Sequence, residues 1–163
     1  MRLIVRLAAL TLVMVVLPIL SGPSFVAAST ANPPSCTRSQ VTLSASASQT
    51  TYLVGSPVHV TVTLHNHSSK ACSYATGTFS PSYSLANPAG VTVWGSCWFN
   101  GGPAPCAYFL VHRVLGRGAT YTDRLTWDQR TGHPDEQVPP GRYRFSVSIS
   151  GLRGTAVTDF SLG

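Results

Sequence analysis

His65 and His67 stand two residues apart at the end of the alternating stretch VHVTVTLH (58–65). In extended chain that spacing puts both imidazoles on one face about 7 Å apart, close enough to chelate a metal ion. His59 shares the face but lies about 20 Å away by the same rise. No acidic third ligand is near, so the pattern favours solvated histidines over a zinc or copper site, and no cofactor is expected. Asp135 and Glu136 adjoin, and Glu136 is the only glutamate of the chain. General acid–base work needs groups that face each other across a substrate, which sequence neighbours do not. Gly-x-Ser-x-Gly, His-Glu-x-x-His, P-loop and dinucleotide-binding glycine patterns are absent. A cysteine nucleophile must be free, and Cys36, Cys72, Cys97 and Cys106 can each find a partner. Catalysis is not expected.

The same four cysteines say more as staples. None forms a C-x-x-C pair, so neither the usual zinc nor the thioredoxin-type spacing is present. CWFNGGPAPC (97–106) encloses Trp98 and Phe99, an Asn-Gly-Gly turn and two prolines. A stapled loop of this size has little interior for two large rings. Either they fold back over the end of the domain, or they stand out as an aromatic anchor of the kind that binding hot spots favour.

The elements that must position these residues are strands. VTLSASAS (41–48), VHVTVTLH (58–65), TYTDRLTW (120–127) and RYRFSVSIS (142–150) alternate with period two, and TAVTDFSL (155–162) follows a Gly-rich turn. Shorter strands are expected around Phe79–Leu85 and Val91–Trp94. AYFLVHRVL (107–115) is nearly continuously apolar and reads as a central strand or a short helix. About eight strands at short spacing, with Gly- and Pro-rich turns, predict an all-β, immunoglobulin- or fibronectin-like antiparallel β-sandwich. If 41–47 pairs antiparallel with 58–65, Cys36 and Cys72 lie just beyond adjacent ends. That geometry favours the pairing 36–72 and leaves 97–106. Trp94 and Trp127 read as core, and Tyr143, just after Pro-Gly, as a residue whose hydroxyl bonds the corner backbone.

The N-terminus has a different character. Two arginines precede an apolar run of 14 residues (7–20), and Val-Ala-Ala ends the segment at residue 28. This is the anatomy of a secretory signal peptide. The run is shorter than the about 20 residues a membrane-spanning helix needs, so no stable membrane anchor is expected. The expected organisation is a signal peptide at 1–28, a flexible leader at 29–39 tied down only if Cys36 is bonded, and a sandwich domain at 40–163. The mature protein would be secreted, extracellular or associated with the cell wall, where disulfides persist. Without Arg2 and Arg6, nine Lys/Arg face five Asp/Glu, a net charge of +4. The basic residues are scattered along the chain, a pattern that argues against nucleic acid and allows mild attraction to an acidic wall or membrane.

Three further stretches carry a family likeness: HNHSS (65–69), AGVTVW (89–94), and LGRGATYTDRLTW (115–127) followed by PPGRYRFSVSI (139–149). From about residue 56 to its end the chain resembles the BsuPI-like domain family, named for an intracellular proteinase inhibitor of bacilli. The family's Pro-Gly-Glu turn is replaced here by Gly116-Arg117-Gly118-Ala119. The resemblance implies an immunoglobulin-like sandwich and, as a function, proteinase inhibition through a rigid exposed loop. Loop 97–106 would offer Trp98 or Phe99 to an apolar specificity pocket, and loop 130–141 would offer Arg130 to a trypsin-like one. The residues themselves favour a non-enzymatic binding module with a protein or cell-wall partner. The inhibitor, with a serine protease as partner, is the alternative, and a purely structural envelope domain is a third reading.

Overall fold

A computed structural model describes residues 32–77, 81–96, 110–132 and 136–163, and the backbone alone at 98–99 and 102–103. The expected signal segment and the proposed Cys97–Cys106 staple lie outside these residues. The described residues form strands and no helix: β1 (Val41–Ala47), β2 (Thr51–Tyr52), β3 (Val58–Asn66), β4 (Cys72–Gly77), β5 (Ser82–Ala86), β6 (Thr92–Gly95), β7 (Trp98–Phe99), β8 (Gly102–Pro103), β9 (Leu110–Leu115), β10 (Thr120–Trp127), β11 (Gly141–Ser148) and β12 (Thr155–Leu162).

Alternation decides which face of each strand turns inward. Val58, Val60, Val62 and Leu64 of β3 are buried, while Tyr143, Phe145 and Val147 line the inner face of β11. One sheet runs β1-β3-β10 and the other β2-β12-β11-β5-β6, and their apolar faces meet in a shared core. At its centre the rings of Trp127 and Tyr143 lie 5.5 Å apart, and Tyr52 meets Phe160 edge-on at 5.6 Å. Such tilted contacts suit the ring quadrupoles better than face-to-face stacking. The N-terminal stretch of the domain serves both sheets through two separate strands. β1 pairs antiparallel with β3, and after residues 48–50 β2 runs parallel to β12. The expected all-β sandwich is the observed fold.

Tyr143 is fully buried, and its hydroxyl donates to the Pro139 carbonyl at 2.7 Å, the corner bond its position predicted. The β1–β3 register sets Val41 opposite Asn66, and Cys36 and Cys72 beyond those ends form the expected disulfide. The leader is held as well: Cys36 N donates to Ser73 O, and Ser73 N to Pro34 O.

The strand inventory differs from the sequence reading in two places. β4 was not expected, because SYATG lacks a run of alternating large apolar residues. β9 is not central. Within the described residues it pairs with β4 alone, in a two-stranded ribbon that leaves Val111 and Val114 45% and 60% exposed. An apolar run shows that burial is possible, not which neighbours supply it.

At the end of β3 the side chain of Asn66 has no exposure. Its Nδ2 donates to the carbonyls of Lys70 (2.9 Å), Leu115 (3.1 Å) and Gly116 (2.9 Å), and its Oδ1 accepts from the Ser68 amide and hydroxyl. Asn66 and Ser68 therefore form a structural knot in the folded chain. Asn66→Asp keeps the shape but replaces the donor with a carboxyl oxygen facing three carbonyls. The expected loss is about 3 kcal/mol, read as a lower urea midpoint with unchanged slope; a loss below about 1 kcal/mol would remove Asn66 from this role.

Candidate functional site

At the opposite end of β3 the chain from β2 closes a tight turn. Ser56 N donates to Leu53 O at 3.0 Å, and Gly55 takes φ 82°, a value required at the third position of a type II turn and avoided by side-chain-bearing residues. The turn presents Leu53 and Val54 outward, 73% and 44% exposed. Behind it sits Gln129, with no exposure and a left-handed φ of 61°. That backbone state costs a residue other than glycine about 1–2 kcal/mol, and the hydrogen bonds of Gln129 offset it. Its Oε1 accepts from Gly55 N at 2.8 Å, and its Nε2 donates to Leu53 O at 2.8 Å and to Ser56 O. Its own carbonyl receives Val138 N and Gln137 Nε2. The side-chain amide thus stands in for a strand neighbour to a turn that has none.

The loop after β10 is tied at several points. Trp127 Nε1 donates to Arg130 O at 2.8 Å, Arg130 bridges to Gln137, and Thr131 N donates to Glu136 O. Gly132 N reaches across to Val93 O at 3.2 Å, so the loop is pinned to β6 as well. These bonds tie residues 127–132 and 136–138 to one another and to β6, below an apolar tip formed by Leu53 and Val54.

The sequence-predicted residues are distributed as follows. Arg130 lies at this end, half-buried, with its backbone held in the bridge to Gln137 rather than extended outward. Trp98 and Phe99 form β7, antiparallel to β8, and their side chains lie outside the described residues. His65 and His67 do not converge: His65 Nδ1 meets the Thr120 hydroxyl at 2.9 Å, whereas His67 Nε2 donates to Ser39 O. Among the described residues no three His, Cys, Asp or Glu side chains gather as a metal site. Leu53, Val54 and Gln129 were missed. The Gly55-Ser56-Pro57 break announces a turn, but nothing local links it to a glutamine 74 residues beyond Gly55.

Two carboxylates are engaged elsewhere. Asp123 points inward from β10 and accepts the Tyr83 hydroxyl across the sandwich. Burial first, then this bond, push the Tyr83 phenol above its ordinary range. On the outer face of the larger sheet Asp159 accepts from Arg144 (2.9 and 3.0 Å) and Arg142 (2.8 Å), beside a groove of about 330 Å³ that also touches Asn87 and Pro88. Arg144, with Arg142, holds the Asp159 carboxyl down at about 2.

No family model and no curated protein sequence matches the chain. Several solved structures are similar to it at a low level. A mutant β-glucosidase from Listeria innocua in complex with laminaribiose is 20% identical at a TM-score of 0.45, over 76% of this chain and 16% of that one. The alkylpurine DNA glycosylase AlkC from Pseudomonas fluorescens, bound to DNA with an abasic site analog, is 17% identical at 0.46, over 76% and 30%. The CARDB domain of PF1109 from Pyrococcus furiosus is 11% identical at 0.43, over 76% and 94%. This chain spans less than a third of either enzyme. The fold assignment rests on its own strand pairing and core.

Two outcomes follow from this geometry. Gln129→Asn tolerates the left-handed backbone but falls one methylene short of the turn. Stability should fall by about 2 kcal/mol, with faster hydrogen exchange at the Gly55 amide; unchanged exchange there would show that the turn does not depend on Gln129. The second concerns acid. The folded carboxyl of Asp159 titrates at about 2 against an ordinary 3.8. Its stabilising contribution is complete above the ordinary value and is lost as pH falls toward 2. Wild type should therefore lose more stability than Asp159→Asn between pH 4 and pH 2, and parallel pH profiles for the two proteins would refute the pairing.

Proposed function

We propose that this chain is a non-enzymatic, immunoglobulin-like binding module exported to the cell envelope or beyond it. The observation that carries the reading is the buried Cys36–Cys72 disulfide, with Cys36 4% and Cys72 0% exposed. Such bonds form and persist in oxidising compartments, and this one lies downstream of a segment with the composition of a signal peptide. The braced turn at Leu53 and Val54 supports a contact role, because a preorganised apolar tip is suited to a protein or cell-wall partner. Proteinase inhibition is the second reading, favoured by the rigid exposure of Leu53. The turn is closed rather than extended, so Leu53 would plug an apolar pocket without presenting a scissile bond.

The test is expression of the full chain in a bacterial host, followed by fractionation, N-terminal sequencing and disulfide mapping. An envelope or culture-medium product beginning at Ser29 with Cys36 bonded to Cys72 is expected. A product that keeps Met1, or a reduced Cys36, overturns the export reading. Titration of the purified product against subtilisin-, chymotrypsin- and trypsin-like proteases separates the two functions, since stoichiometric inhibition would replace the binding module by the inhibitor.

A further inference from the structure

The basic residues that lie scattered in the sequence do not stay scattered in the fold. Arg38, Lys70, Arg117 and Arg153 fall in the loops 37–40, 67–71, 116–119 and 150–154, which meet at the Asn66 end of β3. All four are exposed, and none has an ion-pair partner among the described residues. The four loops contain no Asp or Glu. The acidic residues lie elsewhere: Asp123 mid-strand against Tyr83, Asp128 and Glu136 in the far loop with Asp135 next to Glu136 in the chain, and Asp159 under its two arginines.

The loops that carry these cations are fixed to one another. The disulfide joins the first to the start of β4, and Asn66 holds the carbonyls of Lys70 and Gly116. His67 donates its backbone N–H to Gln40 O and its ring Nε2 to Ser39 O. The Arg38 guanidinium lies along Gly154, with Cζ 3.5 Å from where a Cβ at that glycine would stand. Arg38 and Arg153 flank a groove of about 230 Å³ floored by Val41, Leu43 and Leu152. That is below the roughly 300–1,000 Å³ of sites that enclose a whole small-molecule ligand. It is matched to one anionic group of a longer molecule, while Lys70 and Arg117 extend the positive surface beyond it.

We propose that this pole binds a phosphodiester-linked polyol or sugar polymer, a linear polyanion of the kind an envelope surface carries, through Arg38, Arg153, Lys70 and Arg117. Two other phosphate-bearing surfaces fit less well. Single-stranded nucleic acid is held by bases stacked on exposed rings, and the tyrosines nearest this pole are committed to packing: Tyr74 is buried and Tyr121 packs beside it at 5.6 Å. Stable attachment to a membrane surface needs inserted apolar side chains beside the cations. The one large apolar residue of the four loops, Leu152, is partly buried against the core at the floor of the groove, and no second large apolar side chain stands beside it in these loops.

The test uses the purified protein and synthetic polyglycerol phosphate of defined length, with affinity measured at 50 and 200 mM salt. If four phosphates are neutralised, the logarithm of affinity should fall with the logarithm of salt at a slope of about −3. The double variants Arg38→Gln/Arg153→Gln and Lys70→Gln/Arg117→Gln should each weaken binding at least about tenfold. The control Arg142→Gln/Arg144→Gln removes the same charge from another face and should change it less than about twofold. No binding at 50 mM salt, or equal losses in all three double variants, would overturn the proposal. So would tighter binding to single-stranded DNA of equal phosphate number, or to phosphatidylglycerol vesicles. Because the assay uses pure components, its result does not depend on whether the chain is exported.

Discussion

Two buried carboxamides set the terms for both ends of this domain. A primary amide taken out of water leaves two hydrogens and two lone pairs to be satisfied, and each one left unmade costs about 1–3 kcal/mol. Asn66 and Gln129 are both completely buried. Each meets that demand by drawing in the backbone of loops that have no sheet partner of their own. Asn66 gathers residues 68, 70, 115 and 116, and Gln129 gathers 53, 55 and 56. The penalty for leaving either amide unpaired is what gives the loops a definite shape where the described residues supply no helix to brace them.

The strand between the two amides gives the domain its polarity. β3 runs from Val58, beside the Gln129 knot, to Asn66 itself, a span of roughly 26 Å at the rise of an extended chain. Its inner face supplies four buried aliphatic residues to the core. Its two termini supply the attachment points for chemically unlike surfaces: an apolar turn at one end and, at the other, four cations with no ion-pair partner among the described residues. The disulfide reinforces only the cationic end. The apolar end relies on the Trp127 indole, the Tyr143 hydroxyl and Gln129, each bonded to a loop carbonyl.

What was legible in the sequence follows from what is local. Alternation in β3, β10 and β11 identified inner faces correctly because a half-buried strand repeats its environment every second residue. The Cys36–Cys72 bond could be inferred because it needs only one hairpin-like pairing. Tyr143 could be assigned because its partner lies four residues away. β4 and β9 were not legible. Their burial is set by each other and by the disulfide, not by period, and β9 carries valines that face outward. Gln129 was silent for a similar reason, since its bonds to residues 53–56 cross more than seventy positions. The cationic pole was read as scatter because its four members come from four separate loops.

This separation also decides how the two ends can act. Sites more than about 7–10 Å apart with no shared partners contribute additively, and the partner sets of the two amides do not overlap. Neutralising the cationic pole therefore leaves the Leu53 turn in place, and loosening the turn leaves the pole in place. β3 is the element both depend on, and its inner face is aliphatic and buried; the carboxylate beside its middle, Asp123, is already engaged by the Tyr83 hydroxyl. The two ends are therefore held in fixed relation by one strand, and neither has a bond in common with the other through which it could be switched.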